Sequence, residues 1–262
     1  MYSPAAHNAP VLVNKGDNKL AANYSFTFGD NVEKLNVPTK AKARGFDLQG
    51  AYAFNSNWAG MVNYFTRTER NAGDFDSNLK DSTIINYKRN LTEIGAGYFK
   101  ALDDNKQVLF QVFAGAGFGK ASFTDEGRDQ NGLYRNRYHK MNVTKIFIQP
   151  SIMIRSKKNF AAILSSRQSI IYFRNIKTNY TATELDNYKL DNLANNPRVF
   201  WEPSIVNNFG IKELPGIKVE FQLGFCFLIS RRFVDYRSSN ISVGLLFDLP
   251  KFFGTKNRLN KK

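Results

Sequence analysis

The sequence has a single cysteine, Cys226, among 262 residues. A lone thiol excludes any disulfide within the chain and any cysteine-based metal cluster, and it leaves the redox compartment open. Histidine is almost as scarce. His7 and His139 are the only two, and their separation argues against a shared metal site. No apolar run approaches the ~18–20 residues of a membrane-spanning helix, which excludes a helical membrane protein. Acids are in deficit, with 22 Asp and Glu against 37 Lys and Arg, so the formal charge is +15. The start, MYSPAAHNAPVLVNKGD, lacks the charged and apolar regions of a signal peptide. A secreted or outer-membrane chain would therefore be seen here in mature form, with Met1 added.

What the sequence does have is strict alternation. In KVEFQLGFCFLI, Val219, Phe221, Leu223, Phe225 and Phe227 are large and apolar, while Lys218, Glu220, Gln222, Gly224 and Cys226 are polar or small. Period two means a β-strand whose faces meet different surroundings. The pattern recurs in Leu20–Phe28, Phe46–Phe54, Trp58–Tyr64, Ile94–Tyr98, Val108–Phe118, Thr144–Ile154, less cleanly over 160–173, in Val199–Phe209 and in Ile241–Leu249. That makes about ten strands, each with roughly the 9–11 residues of a tilted bilayer crossing.

Two observations fix which face is inside. Asp47, Arg67, Glu93, Arg167, Glu202 and Glu220 all fall in the polar set, and burying so many ions in a dry core would cost several kcal/mol each unless they are paired. A hydrated lumen tolerates them, and lipid accepts the nearly uncharged opposite set. The connections also alternate in length. Ser56-Asn57, Leu102–Lys106, Lys157–Asn159 and Ile211–Ile217 are short, whereas Asp30–Ala43, Thr68–Arg89, Thr124–Met141, Asn175–Arg198 and Ser230–Ser238 are longer and polar. Short periplasmic turns and long outer loops are the layout of outer-membrane barrels, and a soluble sandwich has no cause to keep its ends so unequal; the alternative reading is a soluble lipocalin-like barrel or sandwich. The expected fold is an all-β, antiparallel up-and-down transmembrane barrel over 18–249. Residues 1–17 form a periplasmic lead that enters the mouth, lies along a partner or stays disordered, and 250–262 form a basic periplasmic tail. Both termini are then periplasmic, in the outer membrane of a Gram-negative bacterium.

YSPAAHNAPVLVNKGDNKL, NLTEIGAGYFK and VFAGAGFGK resemble the small outer-membrane β-barrel proteins common in Bacteroidota, a family mostly of unassigned function. The resemblance implies location and fold. It also implies that the chain could serve as a subunit of a larger outer-membrane assembly.

Counting up from the short turns places Asp47, Arg67, Glu93, Gln149, Arg167 and Glu202 at similar heights, as a charged belt inside the barrel. Such a belt plugs and stiffens the lumen or sets the selectivity of a narrow channel for small solutes. Gly95, Gly97, Gly115, Gly117 and Gly119 are small inward positions that leave room for water or for neighbours such as Phe147. Basic residues near the strand tops, Lys42, Arg44, Lys88, Arg89, Arg135, Arg137, Lys140 and Arg174, are expected to form a collar facing lipid A phosphates. Nucleic acid is not an expected partner, because the aromatics lie on strand faces and not in a basic groove. The expected partners are outer-membrane lipid and lipopolysaccharide, with other outer-membrane or periplasmic subunits. No cofactor, metal or catalytic residue is expected. The one enzymatic alternative is a rim hydrolase using His139 beside Asp125, Glu126 and Asp129 of the same loop and Asp74 or Asp81 of another. The leading expectation is a structural or interaction component whose lumen is closed by the belt.

Overall fold

In the computed structural model, residues 2–30, 43–76, 81–128, 133–156, 160–211, 213–231 and 234–248 are described. The alternating segments form β1 (Asn18–Asp30), β2 (Ala43–Ala53), β3 (Trp58–Asp76), β4 (Asp81–Ala101), β5 (Val108–Arg128), β6 (Tyr134–Arg155), β7 (Phe160–Thr178), β8 (Arg198–Ile211), β9 (Leu214–Phe225), β10 (Phe227–Leu228) and β11 (Arg237–Phe247). Neighbours in sequence pair antiparallel from β1 to β9. β11 pairs with β9 on one side and with β1 on the other, where Leu20 meets Phe247, so the sheet closes. β9 and β10 are one stave interrupted at Cys226, so the eleven segments make ten staves.

The faces fall as the alternation requires. Along β2, Phe46 and Leu48 are 58% and 53% exposed, while the intervening Asp47 and Gln49 are 2% and 1%. On β4, Ile94 is exposed beside a fully buried Glu93. Exposed Leu20, Tyr52, Val62, Phe118, Ile148, Leu164, Ile205 and Val243 carry the apolar surface right round the cylinder, far beyond the few hundred Å² that a water-soluble monomer exposes. A closed ladder has no edge left to satisfy, which is the condition for crossing hydrocarbon with strands. The protein is a transmembrane β-barrel of the outer-membrane type, placed in a Gram-negative bacterium.

The two halves of the wall differ in height. β5 and β6 have 21 and 22 residues, against 11 each in β2 and β11. Much of the expected long connections Thr68–Arg89 and Thr124–Met141 is therefore strand, because the backbone ladder continues above the lipid, where period-two apolarity is no longer needed. Between β7 and β8, α1 (Ala182–Asn187) is started by a capping box from Thr181 and Glu184. At the opposite, periplasmic end, Asp103 closes the β4–β5 turn by accepting from the amides of Gln107 and Val108 at 2.8 and 2.7 Å.

Candidate functional site: the filled lumen

Residues 2–13 run up the inside of the barrel. The lead enters beside Asp17, whose carboxylate accepts from the amides of Val13 and Asn14 at 2.7 and 2.8 Å. It ends at Tyr2, whose backbone bridges to Tyr236 at the extracellular end of β11. Residues 2–10 and Leu12 are buried. Ten residues of extended chain span at most ~35 Å, enough for the ~25 Å apolar band of such barrels. The composition suits this place. Tyr2 to Val13 carries no lysine, arginine or carboxylate, and Pro4 and Pro10 have no N–H to satisfy. The sequence suggested the periplasmic mouth at most, yet the segment passes through the membrane-embedded lumen.

The wall residues around it pair in layers. Low in the barrel, Lys19 Nζ lies 2.6 Å from Glu220 Oε2 and donates to Gln49 Oε1 at 2.8 Å. Asn23 and Gln222 donate to the other Glu220 oxygen. On β2 and β3, Arg67 Nη2 lies 2.7 Å from Asp47 Oδ2, and Ser25 donates to the same oxygen. Across the middle, Lys145 Nζ lies 3.0 Å from Glu93 and 3.6 Å from Glu202, and Arg167 Nη1 lies 3.6 and 3.9 Å from the same two carboxylates. Gln149 Oε1 accepts twice from Arg167, and Asn63 donates to Glu93 at 2.9 Å. Gly117 stands opposite both Glu93 and Lys145 in register, and its missing side chain lets them meet across β5. Higher still, Glu69 holds Arg89 at 2.8 Å and also Arg237. All of these ionic groups are buried.

The six belt residues all point inward but divide into two groups, Asp47 with Arg67, and Glu93, Gln149, Arg167 and Glu202 together. Counting from turns overlooked Lys145, which shares the inward parity of Phe147 and Gln149 and supplies the second cation of the central group. It also passed over Lys19, Glu69 and Arg237. The collar divides by parity. Arg44, Lys88, Lys140 and Arg174 are exposed on the outer face, with Arg44, Thr68 and Lys88 in one register row and Lys88, Ser122 and Lys140 continuing it. Arg89 does not face lipid A phosphates. It follows Lys88, so it must turn to the other face, where Glu69 holds it. Arg135 and Arg137 are likewise not on the outer wall: they share the parity of inward His139 and pair with Asp125 at 3.4 Å and Glu184 at 3.1 Å. Lys42 lies outside the described residues, as does the 250–262 tail.

An apolar cap closes the outer end. Tyr2, Phe123, Met141, Tyr180, Leu193, Phe200, Val234 and Tyr236 form one cluster beneath the β7–β8 and β10–β11 connections. Glu184 helps fix it from α1. Burial pushes its carboxyl up, but the Thr181 amide and the Arg137 guanidinium outweigh that and hold it below the usual range. His139 belongs to this cap. Its ring stacks on Phe123 at 5.1 Å, and neither ring nitrogen has a hydrogen-bond partner among the described residues. Asp125 is instead engaged by Tyr180 at 3.0 Å and by Arg135; Asp129 lies outside the described residues, and among the described ones no acid is paired with His139. His7 lies mid-lumen, 3.0 Å from Ser165 Oγ.

No protein-family model and no curated protein matches the chain. Among solved structures it is similar to an outer-membrane channel from Pseudomonas putida F1, at 9% identity over 93% of this chain and 99% of that one, TM-score 0.44. It is also similar to the outer membrane protease OmpT from Escherichia coli, at 9% identity over 88% and 93%, TM-score 0.43. A third is Ail, the attachment invasion locus protein of Yersinia pestis, in complex with the heparin analogue sucrose octasulfate, at 14% identity over 89% and 98%, TM-score 0.37. These are likenesses of strand layout between chains sharing few residues, and no activity passes from them to this one.

Proposed function

We propose that this barrel is a sealed structural and interaction component of the outer membrane, which presents its extracellular hairpins and serves as an accessory subunit of a larger assembly. One observation carries this: the lumen is occupied along its length by residues 2–13, and the Glu93–Lys145–Arg167–Glu202 group crosses it beside them. Small barrels of the Bacteroidota, which the sequence resembles, are the context for such a subunit. The outward row of Arg44, Lys88 and Lys140, with Arg174, supports contact with phosphate-bearing lipid, lipopolysaccharide above all, because cations just above the apolar band meet its anionic headgroups.

Planar-bilayer recording tests the sealed reading. Wild type passes little current, and Arg167→Ala, which removes one arm of the central group, admits some. A steady, ion-selective current through wild type would instead make the protein a narrow channel. For the lipid contact, Lys88→Glu with Lys140→Glu lowers retention of the folded protein on lipopolysaccharide-containing vesicles but not on neutral ones. Equal retention on both would remove that part of the proposal.

A further inference from the structure

The lead is held by its main chain as well as by its side chains. Around Ala6, His7 and Asn8, wall side chains bind its main chain as a neighbouring strand would. Asp47 Oδ1 accepts from the Ala6 amide at 3.2 Å, and Gln49 Nε2 donates to the Ala6 carbonyl at 3.1 Å. Gln222 takes the His7 amide at 2.9 Å and donates to the His7 carbonyl at 3.0 Å, and Gln149 donates to the Asn8 carbonyl at 2.9 Å. These four side chains come from β2, β6 and β9, three different parts of the wall. At the top, Tyr2 exchanges two backbone bonds with Asp235 and Arg237, as in strand addition. Side-chain selection is added at intervals. Among the described residues four inward apolar clusters each bury one lead residue, Tyr2, Ala5, Ala9 and Leu12, and Val11 and Val13 pack against the Ala9 cluster. Ala5 and Ala9 are at most 3% exposed, each enclosed within its cluster. The Tyr2 hydroxyl donates to Glu202 at 2.6 Å and accepts from Lys145 at 3.1 Å.

We infer that the barrel interior is a peptide-binding groove, specific for an extended segment with a tyrosine at its upper end and small residues three and seven positions later, and that the chain's own residues 2–13 are its resident ligand. A main chain read by side chains, with anchors spaced along it, is a recognition mode that does not depend on covalent connection to the barrel. Recognition of this kind does not depend on whether the barrel conducts.

The test begins with the folded full chain. A recognition sequence for a site-specific protease is inserted between Lys15 and Gly16, where Lys15 is exposed and Gly16 turns the chain at the mouth. After cleavage in detergent, the freed segment is extracted with mild denaturant, and retained heat-modifiable gel mobility confirms an intact barrel. A fluorescent synthetic peptide of residues 2–13 is then titrated back. Saturable rebinding is expected. The same peptide N-methylated at Ala6 and His7 should bind at least about tenfold more weakly, because two buried donors are lost, and an Ala9→Phe peptide should not bind. Equal binding by a scrambled peptide, or a freed segment that never exchanges with excess peptide, would overturn the proposal. Conductance of uncut wild type is recorded separately, so failure of the sealed reading cannot be confused with failure of this one.

Discussion

Replacing Glu93 by glutamine keeps the shape of the side chain and removes its charge. The central group holds two carboxylates, Glu93 and Glu202, against two cations, Lys145 and Arg167, so it is neutral as a set. Glu93→Gln leaves it with one uncompensated positive charge beside the buried lead. At an effective dielectric of 20, Glu93 attracts Lys145 by about 5.5 kcal/mol and Arg167 by about 4.6 kcal/mol at the separations found here. Desolvation, several kcal/mol for each ion, and repulsion from Glu202 offset much of that, and stranding one member of a buried group costs about 3–5 kcal/mol net. Lys145→Met strands the opposite charge at a similar cost. The double variant is neutral again, with Arg167 and Glu202 still paired at 3.9 Å. It should therefore be far less destabilised than the two single changes summed, with a coupling at the upper end of the ~0.5–3 kcal/mol seen between contacting residues. Urea titration of protein folded in vesicles, read from folded and unfolded bands on unboiled gels, measures all four corners of the cycle. Single changes below about 1 kcal/mol, or strict additivity, would mean that water screens the group and that the lumen is not dry at this level.

Three further outcomes are expected. The folded protein migrates faster than boiled protein on gels, as a compact closed barrel should, and identical migration would contradict closure. Gly115→Ala places a methyl group against the Ile94 carbonyl and 2.8 Å from the Phe147 ring, and two strand backbones cannot both give way. It should lower stability by about 1–3 kcal/mol, as overpacking does, or block folding, and a wild-type melting curve would refute the close approach. The Asp103 carboxyl is held below its usual value by the amides of Val108 and Gln107. A depressed value means that its contribution is present above the unfolded pKa and is lost as pH falls through the folded one. Amide exchange at Gln107 and Val108 should accelerate across that acidic window in wild type and be fast and pH-insensitive, apart from intrinsic exchange, in Asp103→Ala.

The lipid face was legible because period two is written locally. Leu20 to Phe28 and Phe46 to Phe54 need no partner strand to declare their parity. Inward charges were legible for the same reason, but their pairing was not. Which acid meets which base depends on register and on absent side chains, as where Gly117 lets Glu93 reach Lys145. The basic residues near the strand tops misled where adjacent positions were read as one surface, since Lys88 and Arg89 must face opposite ways. The lead was the least legible part. Ala5, Ala6, Ala9, Pro4 and Pro10 suit a tight, donor-poor passage, yet no local pattern says that a passage exists until the wall has closed around it.

The bridge between Tyr2 and β11 joins the first described residue to the last stave. A polypeptide arrested before Arg237 would offer the lead no partner at its tip, so this tie is made only after β11 has been added to the wall. The lead thus waits for the closing stave, and the tie, once formed, marks a completed barrel.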